Sequence, residues 1–215
     1  MRKIYRKILL IFPVIIAVIC MGGCAGQEME SDFVVAKFGE EKIRLSQLEF
    51  YLIINQVDYE RTYAEQYPGE DIWQKDVLGT GNTLENDVKQ SIMQEVKRMC
   101  ILLKKADELG ITLNVEDEEE LIVLEEIFKE RYSEEILSEL HSEDGVVQEK
   151  LRESMLAAKV KEVICNENGW TADDREERFD ALYKEWAQEE SFTIREIDWS
   201  EVHFEQGKYK VTVNE

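Results

Sequence analysis

The chain has 215 residues, with 26 basic against 47 acidic side chains and a net charge of −21. So acidic a surface excludes nucleic acid as a partner, because phosphate binding needs clustered Lys and Arg, and anionic lipid head groups would repel it as well. The length suffices for one domain with a substantial core, and the periodic spacing of apolar residues argues against global disorder.

In chain order, the N-terminus carries Arg2, Lys3, Arg6 and Lys7 without an acid, and an apolar run from Ile8 to Ile19 follows. This is a secretory n-region and h-region. At about 12 residues the run is short of the roughly 20 that a membrane-spanning helix needs, so residues 1–23 are expected to act as a signal peptide. Met21-Gly22-Gly23-Cys24 resembles the bacterial lipobox, with a methionine where leucine is usual. The resemblance implies that Cys24 is diacylated and becomes the mature N-terminus. The competing reading is an ordinary signal peptide with an incidental cysteine. Cys20 cannot serve instead, since bulky Ile19 precedes it. Cleavage would leave 22 basic residues against 47 acidic, a net charge of −25, so acyl chains rather than charge would hold the protein to a membrane. Residues 24–32 are polar and read as a lipidated tether.

One domain is expected over residues 33–215. Phe33 to Leu45 reads as a β-hairpin turning at Gly39, with Val34, Ala36 and Phe38 on one face. Ser46 and Glu49 have capping-box spacing before a helix that runs toward Pro68-Gly69. Asn82 with Glu85 repeats the pattern and opens a long helix in which Ile92, Val96, Met99, Leu103 and Ala106 form one apolar stripe, stopped by Gly110. Further helices are expected over Val115 to Tyr132, Glu134 to Leu140, Gly145 to about Asn166, and Thr171 to Glu190. The strand-like "FTIREI" and a hairpin turning at Gln206-Gly207 close the chain. The fold class is therefore mainly α with a small β component, a helical core over about 46–190 and C-terminal strands over about 192–213. A lone hairpin is marginally stable, so the N-terminal strands should pair with C-terminal ones.

The order of segments carries a resemblance. "VVAKFGEEKIRLSQLEFYL", a long helix ending "ADELGITLN", then "VEDEEE", "YSEEILSEL" and "EKLRESMLAAKVKEVI" resemble the N-terminal chaperone domain of SurA/PrsA-type foldases and their trigger-factor-like relatives, over about Phe33 to Trp170. The resemblance implies a helical chaperone module, unfolded polypeptide clients, and a place on the outer face of a Gram-positive cytoplasmic membrane. These foldases commonly carry a parvulin-type prolyl isomerase domain of roughly 90 or more residues; only 45 follow Trp170 here, too few to enclose such a core. No catalytic residue is carried over.

Nor do the residues themselves suggest bond chemistry, a cofactor or a metal. His141 and His203 lie on separate elements away from any nucleophile pattern. "HSEDGVV" lacks the spaced oxygen ligands of a calcium loop, and "GTGN" lacks the end of a phosphate loop. The acidic run Glu116 to Glu120 suits a helix N-terminus. Cys100 and Cys165 are either a disulfide or two buried thiols acting as small hydrophobes.

Binding surface remains. Tyr59, Tyr63 and Tyr67 lie four apart on one helix face, with Trp73 in the following loop. These aromatics either pack in the core or grip extended peptides. The expected function is that of an anchored extracytoplasmic chaperone holding unfolded or newly secreted polypeptides. The rivals are a prolyl isomerase with an unrecognised active surface and an adaptor lipoprotein serving one envelope partner.

Overall fold

The computed structural model describes residues 33–213. The expectations for the leader, for Cys24 and for the tether concern residues outside that range. The protein is mainly helical with a small antiparallel sheet. Its elements run β1 (Val34–Phe38), β2 (Glu41–Arg44), α1 (Glu49–Tyr63), α2 (Leu84–Leu109), α3 (Val115–Arg131), α4 (Glu134–Glu139), α5 (Val146–Glu167), α6 (Arg175–Glu189), β3 (Phe192–Ile194), α7 (Glu196–Ser200), β4 (Val202–Glu205) and β5 (Lys208–Val213).

Terminal strands pair as anticipated. The sheet order is β2-β1-β3, with Ala36 opposite Ile194 and Phe38 opposite Phe192. The Gly39 amide donates to Ser191 O at 2.8 Å and the Arg195 amide to Val35 O at 2.8 Å, which extends the join at both ends. β1 is thus the central strand, and Val35 and Ala36 are both fully buried. The simple alternation expected for this strand fails because the register shifts between Val34 and Ala36, which places consecutive residues inside.

Helix boundaries also differ locally. Ser46 does not cap α1: residues Leu45–Gln47 form a single 3-10 turn, the Arg44 amide donates to Gln47 Oε1 at 2.7 Å, and α1 starts after Leu48. α1 ends at Tyr63, short of the Pro68 breaker. The cap of α2 is Thr83 rather than Asn82, its hydroxyl accepting from the Asn86 amide at 3.3 Å, while the Asn82 side-chain amide donates to Asp87 Oδ1 at 3.0 Å. Gly110 ends α2 at φ +65°, the left-handed conformation that glycine adopts without a Cβ penalty. In "FTIREI" only three residues are strand, and Glu196 begins α7.

Two groups of buried side chains show how the helices pack. Leu102 and Ala106 of α2, Ala157, Val160, Ile164 and Cys165 of α5, and Phe179 of α6 form one; Met99, Leu182 and Trp186 press against it. Ile53 and Val57 of α1 meet Tyr132, Ile136, Leu140 and Val147 in the other. Cys165 is buried and Cys100 half-buried, and both are free thiols, so the disulfide alternative is set aside.

Candidate binding groove

The tyrosines form a ladder. The Tyr59 and Tyr63 rings stack at 6.3 Å with an 11° interplanar angle, and Tyr67 continues the row 6.4 Å from Tyr63, beyond the end of α1. All three are half-buried, and the Lys75 ammonium sits 5.2 Å from the Tyr67 ring centroid. They keep one open flank.

Trp73 does not share that flank. It is 0 % exposed, stacks on Phe204 of β4 at 4.2 Å, and donates from Nε1 to Glu60 Oε1 at 3.0 Å. Of the two readings left open for Trp73, the structure supports core packing.

Glu60 is a buried polar hub that sequence reasoning passed over. Its carboxylate accepts from Trp73, from Gln56 Nε2 at 3.0 Å and from the Gly207 amide, 3.1 Å from each oxygen. Gln56 also donates to Glu205 O at 2.6 Å. Gly207 has φ +72°, the turn geometry that aims this amide at the carboxylate. A second hub lies in the first turns of α2. Glu85 contacts His203 Nδ1 at 3.0 Å and accepts from the Phe204 amide at 3.1 Å, while Lys89 donates to Val202 O at 2.6 Å beneath the Trp199 ring. Burial holds the Lys89 ammonium below its ordinary pKa, with the nearby Glu85, Glu201 and Glu196 carboxylates opposing the shift. A signal for these groups did exist. Glu85 and Lys89 fall among Leu84, Val88 and Ile92, and Gln56 and Glu60 flank Val57, so polar groups occupy apolar faces. Such groups are retained inside a fold only when hydrogen-bonded. Here they fasten the β4–β5 hairpin to two helices.

A cavity lies elsewhere, between the β1–β2 turn, α2 and α5. It is a half-open groove of about 550 Å³. Phe38, Ile43, Leu48, Val96, Met99 and Leu103 supply its apolar lining. Charged groups stand around them: Lys104 pairs with Glu190 at 2.5 Å, and Lys150 pairs with Glu153 at 2.9 Å, 5.9 Å from the Tyr51 ring. One wall includes β2, which among the described residues is an edge strand with β1 as its one strand neighbour. Edge strands leave backbone donors and acceptors for another chain to pair with. Cys100 also lines the groove, but burial, aided by the Glu41 and Glu153 charges, pushes its thiol up to about 11. It is therefore protonated at neutral pH and a poor nucleophile. Burial and the same Glu153 raise the Tyr51 hydroxyl as well. The groove thus offers apolar contact, a sheet edge and paired charges.

Sequence spacing found neither the groove nor its lining as a set, because its parts come from segments more than a hundred residues apart. Among the described residues no group of three His, Cys, Asp or Glu side chains gathers as a metal site would, and no helix is long and apolar enough to cross a membrane. His141 is exposed, 3.6 Å from Asp144. No family model, no curated protein and no solved structure matches the chain.

Proposed function

We propose that the protein is a lipid-anchored extracytoplasmic chaperone that holds unfolded or newly secreted polypeptides without bond chemistry. The observation that carries this reading is the apolar groove lying beside the edge strand β2. An extended segment laid there can pair its backbone with the strand edge and drop an apolar side chain among Phe38, Met99 and Leu103, a mode that is tolerant of sequence. Lys104 and Lys150 on the rim already pair with Glu190 and Glu153, while Glu40 and Glu41 at the β1–β2 turn add negative charge that suits a basic client segment. The net charge of −25 left after cleavage favours basic segments and keeps complexes soluble. Tyr59, Tyr63 and Tyr67 add a secondary aromatic flank for such chains.

Leu103→Glu tests this reading by placing a charge in the groove at a half-buried position. Suppression of aggregation of a chemically unfolded client should fall about tenfold, while the melting temperature changes by only a few degrees. Undiminished holding by a normally folded variant would remove the groove from the account. Catalysis in a protease-coupled proline-peptide assay would replace the binding reading with isomerisation. Capture of one stoichiometric envelope protein would replace it with an adaptor.

Anchoring rests on Cys24, which follows Gly22 and Gly23. Acyl chains there would concentrate the groove at the outer face of the cytoplasmic membrane of a Gram-positive cell, where secreted chains emerge. Cys24→Ala should abolish metabolic labelling with a fatty acid, and persistent labelling would refute the assignment.

A further inference from the structure

α3 packs by one side only. Leu121 is its sole fully buried residue, with Leu124 and Phe128 half-buried on the same side. Its ion pairs to other elements also lie toward that packed side: Asp117 with Lys159 at 3.1 Å, Glu118 with Arg152 at 2.7 Å, and Arg131 with Asp58 at 2.9 Å. The outward side is different in kind. Val115, Ile122, Val123 and Ile127 are 71, 57, 52 and 55 % exposed. At 3.6 residues per turn they share a sector of roughly 140° along a helix about 25 Å long. Around and between them stand Glu116, Glu119, Glu120, Glu126 and Glu130, all exposed and, among the described residues, without an ion pair.

Chance exposure of single apolar residues needs no explanation, but four on one helix, framed by unneutralised carboxylates, define a surface with a specific complement. A second copy would set one row of unpaired carboxylates against another, and the cation nearest this face, Lys129, is already paired with Glu125 at 2.6 Å. An anionic membrane or a nucleic acid would meet the same repulsion. The geometry points to a cationic amphipathic helix as the occupant of this face: a polypeptide segment whose Leu- or Ile-type stripe covers Ile122, Val123 and Ile127 while flanking Lys or Arg side chains neutralise Glu119, Glu126 and Glu130. Helix-on-helix docking of this kind reads anchors at i, i+3, i+4 and i+7, the spacing that this face supplies from Glu119 to Glu126 and from Val123 to Ile127. The site is independent of the groove and of the extended conformation proposed there.

The test is fluorescence anisotropy with the folded protein and a labelled helical peptide of leucine and lysine, about 18 residues long with all leucines on one face. Binding should weaken about tenfold in Ile122→Ser/Ile127→Ser. It should also weaken about tenfold when the peptide's leucines are scrambled off one face. In Glu119→Gln/Glu126→Gln the salt dependence should diminish. Because these positions are solvent-facing, thermal melts of both variants should overlay that of the parent. Leu103→Glu should bind the peptide normally, which separates this face from the groove. Binding unchanged within about twofold in both double variants would overturn the inference. So would dimerisation in sedimentation that Ile122→Ser/Ile127→Ser abolishes, or adsorption of the face to zwitterionic vesicles in preference to the peptide.

Discussion

Deleting Phe192 to Glu215 should abolish the cooperative thermal transition of the whole protein, not merely trim an appendage. β3 is the partner that encloses β1, and its loss would open the edge beside fully buried Val35 and Ala36. The same cut removes Trp199, Val202 and Phe204, all buried, each contributing about 1.5–3 kcal/mol of transfer free energy. It further removes hydrogen-bond partners that the hairpin supplies to buried side chains of α1 and α2. Glu60 loses the Gly207 amide, Glu85 loses the Phe204 amide and the His203 ring, and Lys89 loses Val202 O. An unsatisfied buried polar group costs about 1–3 kcal/mol, more when charged. Together these losses rival the 5–15 kcal/mol that separates a typical folded domain from its unfolded chain. Differential scanning calorimetry on the truncated chain should show no sharp endotherm; a transition at the parent temperature would mean that the C-terminal strands are an independent unit.

Trp73→Ala is the largest expected single-residue effect. The indole is wholly enclosed, stacked on Phe204 and hydrogen-bonded to Glu60. Removing a buried tryptophan costs about 3–5 kcal/mol, and in a domain of this size each kcal/mol lowers the melting temperature by about 2–4 °C. A fall of roughly 6–20 °C should follow. Trp73→Phe retains most of the stacking surface and removes only one of the donors to Glu60 Oε1, which still accepts from Gln56 Nε2 and the Gly207 amide, so it should recover much of the loss. Tyr63→Ala, at a half-buried rung of the ladder, should change the melt far less. Equal effects at Trp73 and Tyr63 would contradict the distinction between core and flank.

These residues also show what periodicity can and cannot reveal. The stripe from Ile92 to Ala106 and the stop at Gly110 are local, and α2 forms where spacing of four and three puts them on one side. Closure of the sheet followed from a general need, since a two-stranded hairpin lacks the burial to stand alone. Trp73 was different. It sits in the connection between α1 and α2, and the ring stacked on it, Phe204, lies more than a hundred residues downstream. No local pattern records such a contact. The cap at Ser46 failed for a local reason: an intervening 3-10 turn, bracketed by Arg44 and Gln47, displaced the helix start. The buried Glu60, Glu85 and Lys89 were visible as polar residues on apolar faces, yet only the hairpin reveals why they belong there. As for the groove, its parts converge from β1, β2, α2 and α5, so its existence depends on packing rather than on any one segment.

The central claim is that unfolded polypeptide lies in the groove beside β2. A photoreactive amino acid placed at Leu103, on the groove wall, and in a second protein at Gln188, exposed on α6, tests it most directly. Each folded variant would be irradiated with a set of chemically unfolded secreted proteins. The account predicts cross-links from position 103 to many clients, competed by unlabelled unfolded chain, and background capture from position 188. Equal capture from the two positions, or capture from position 188 alone, would contradict it.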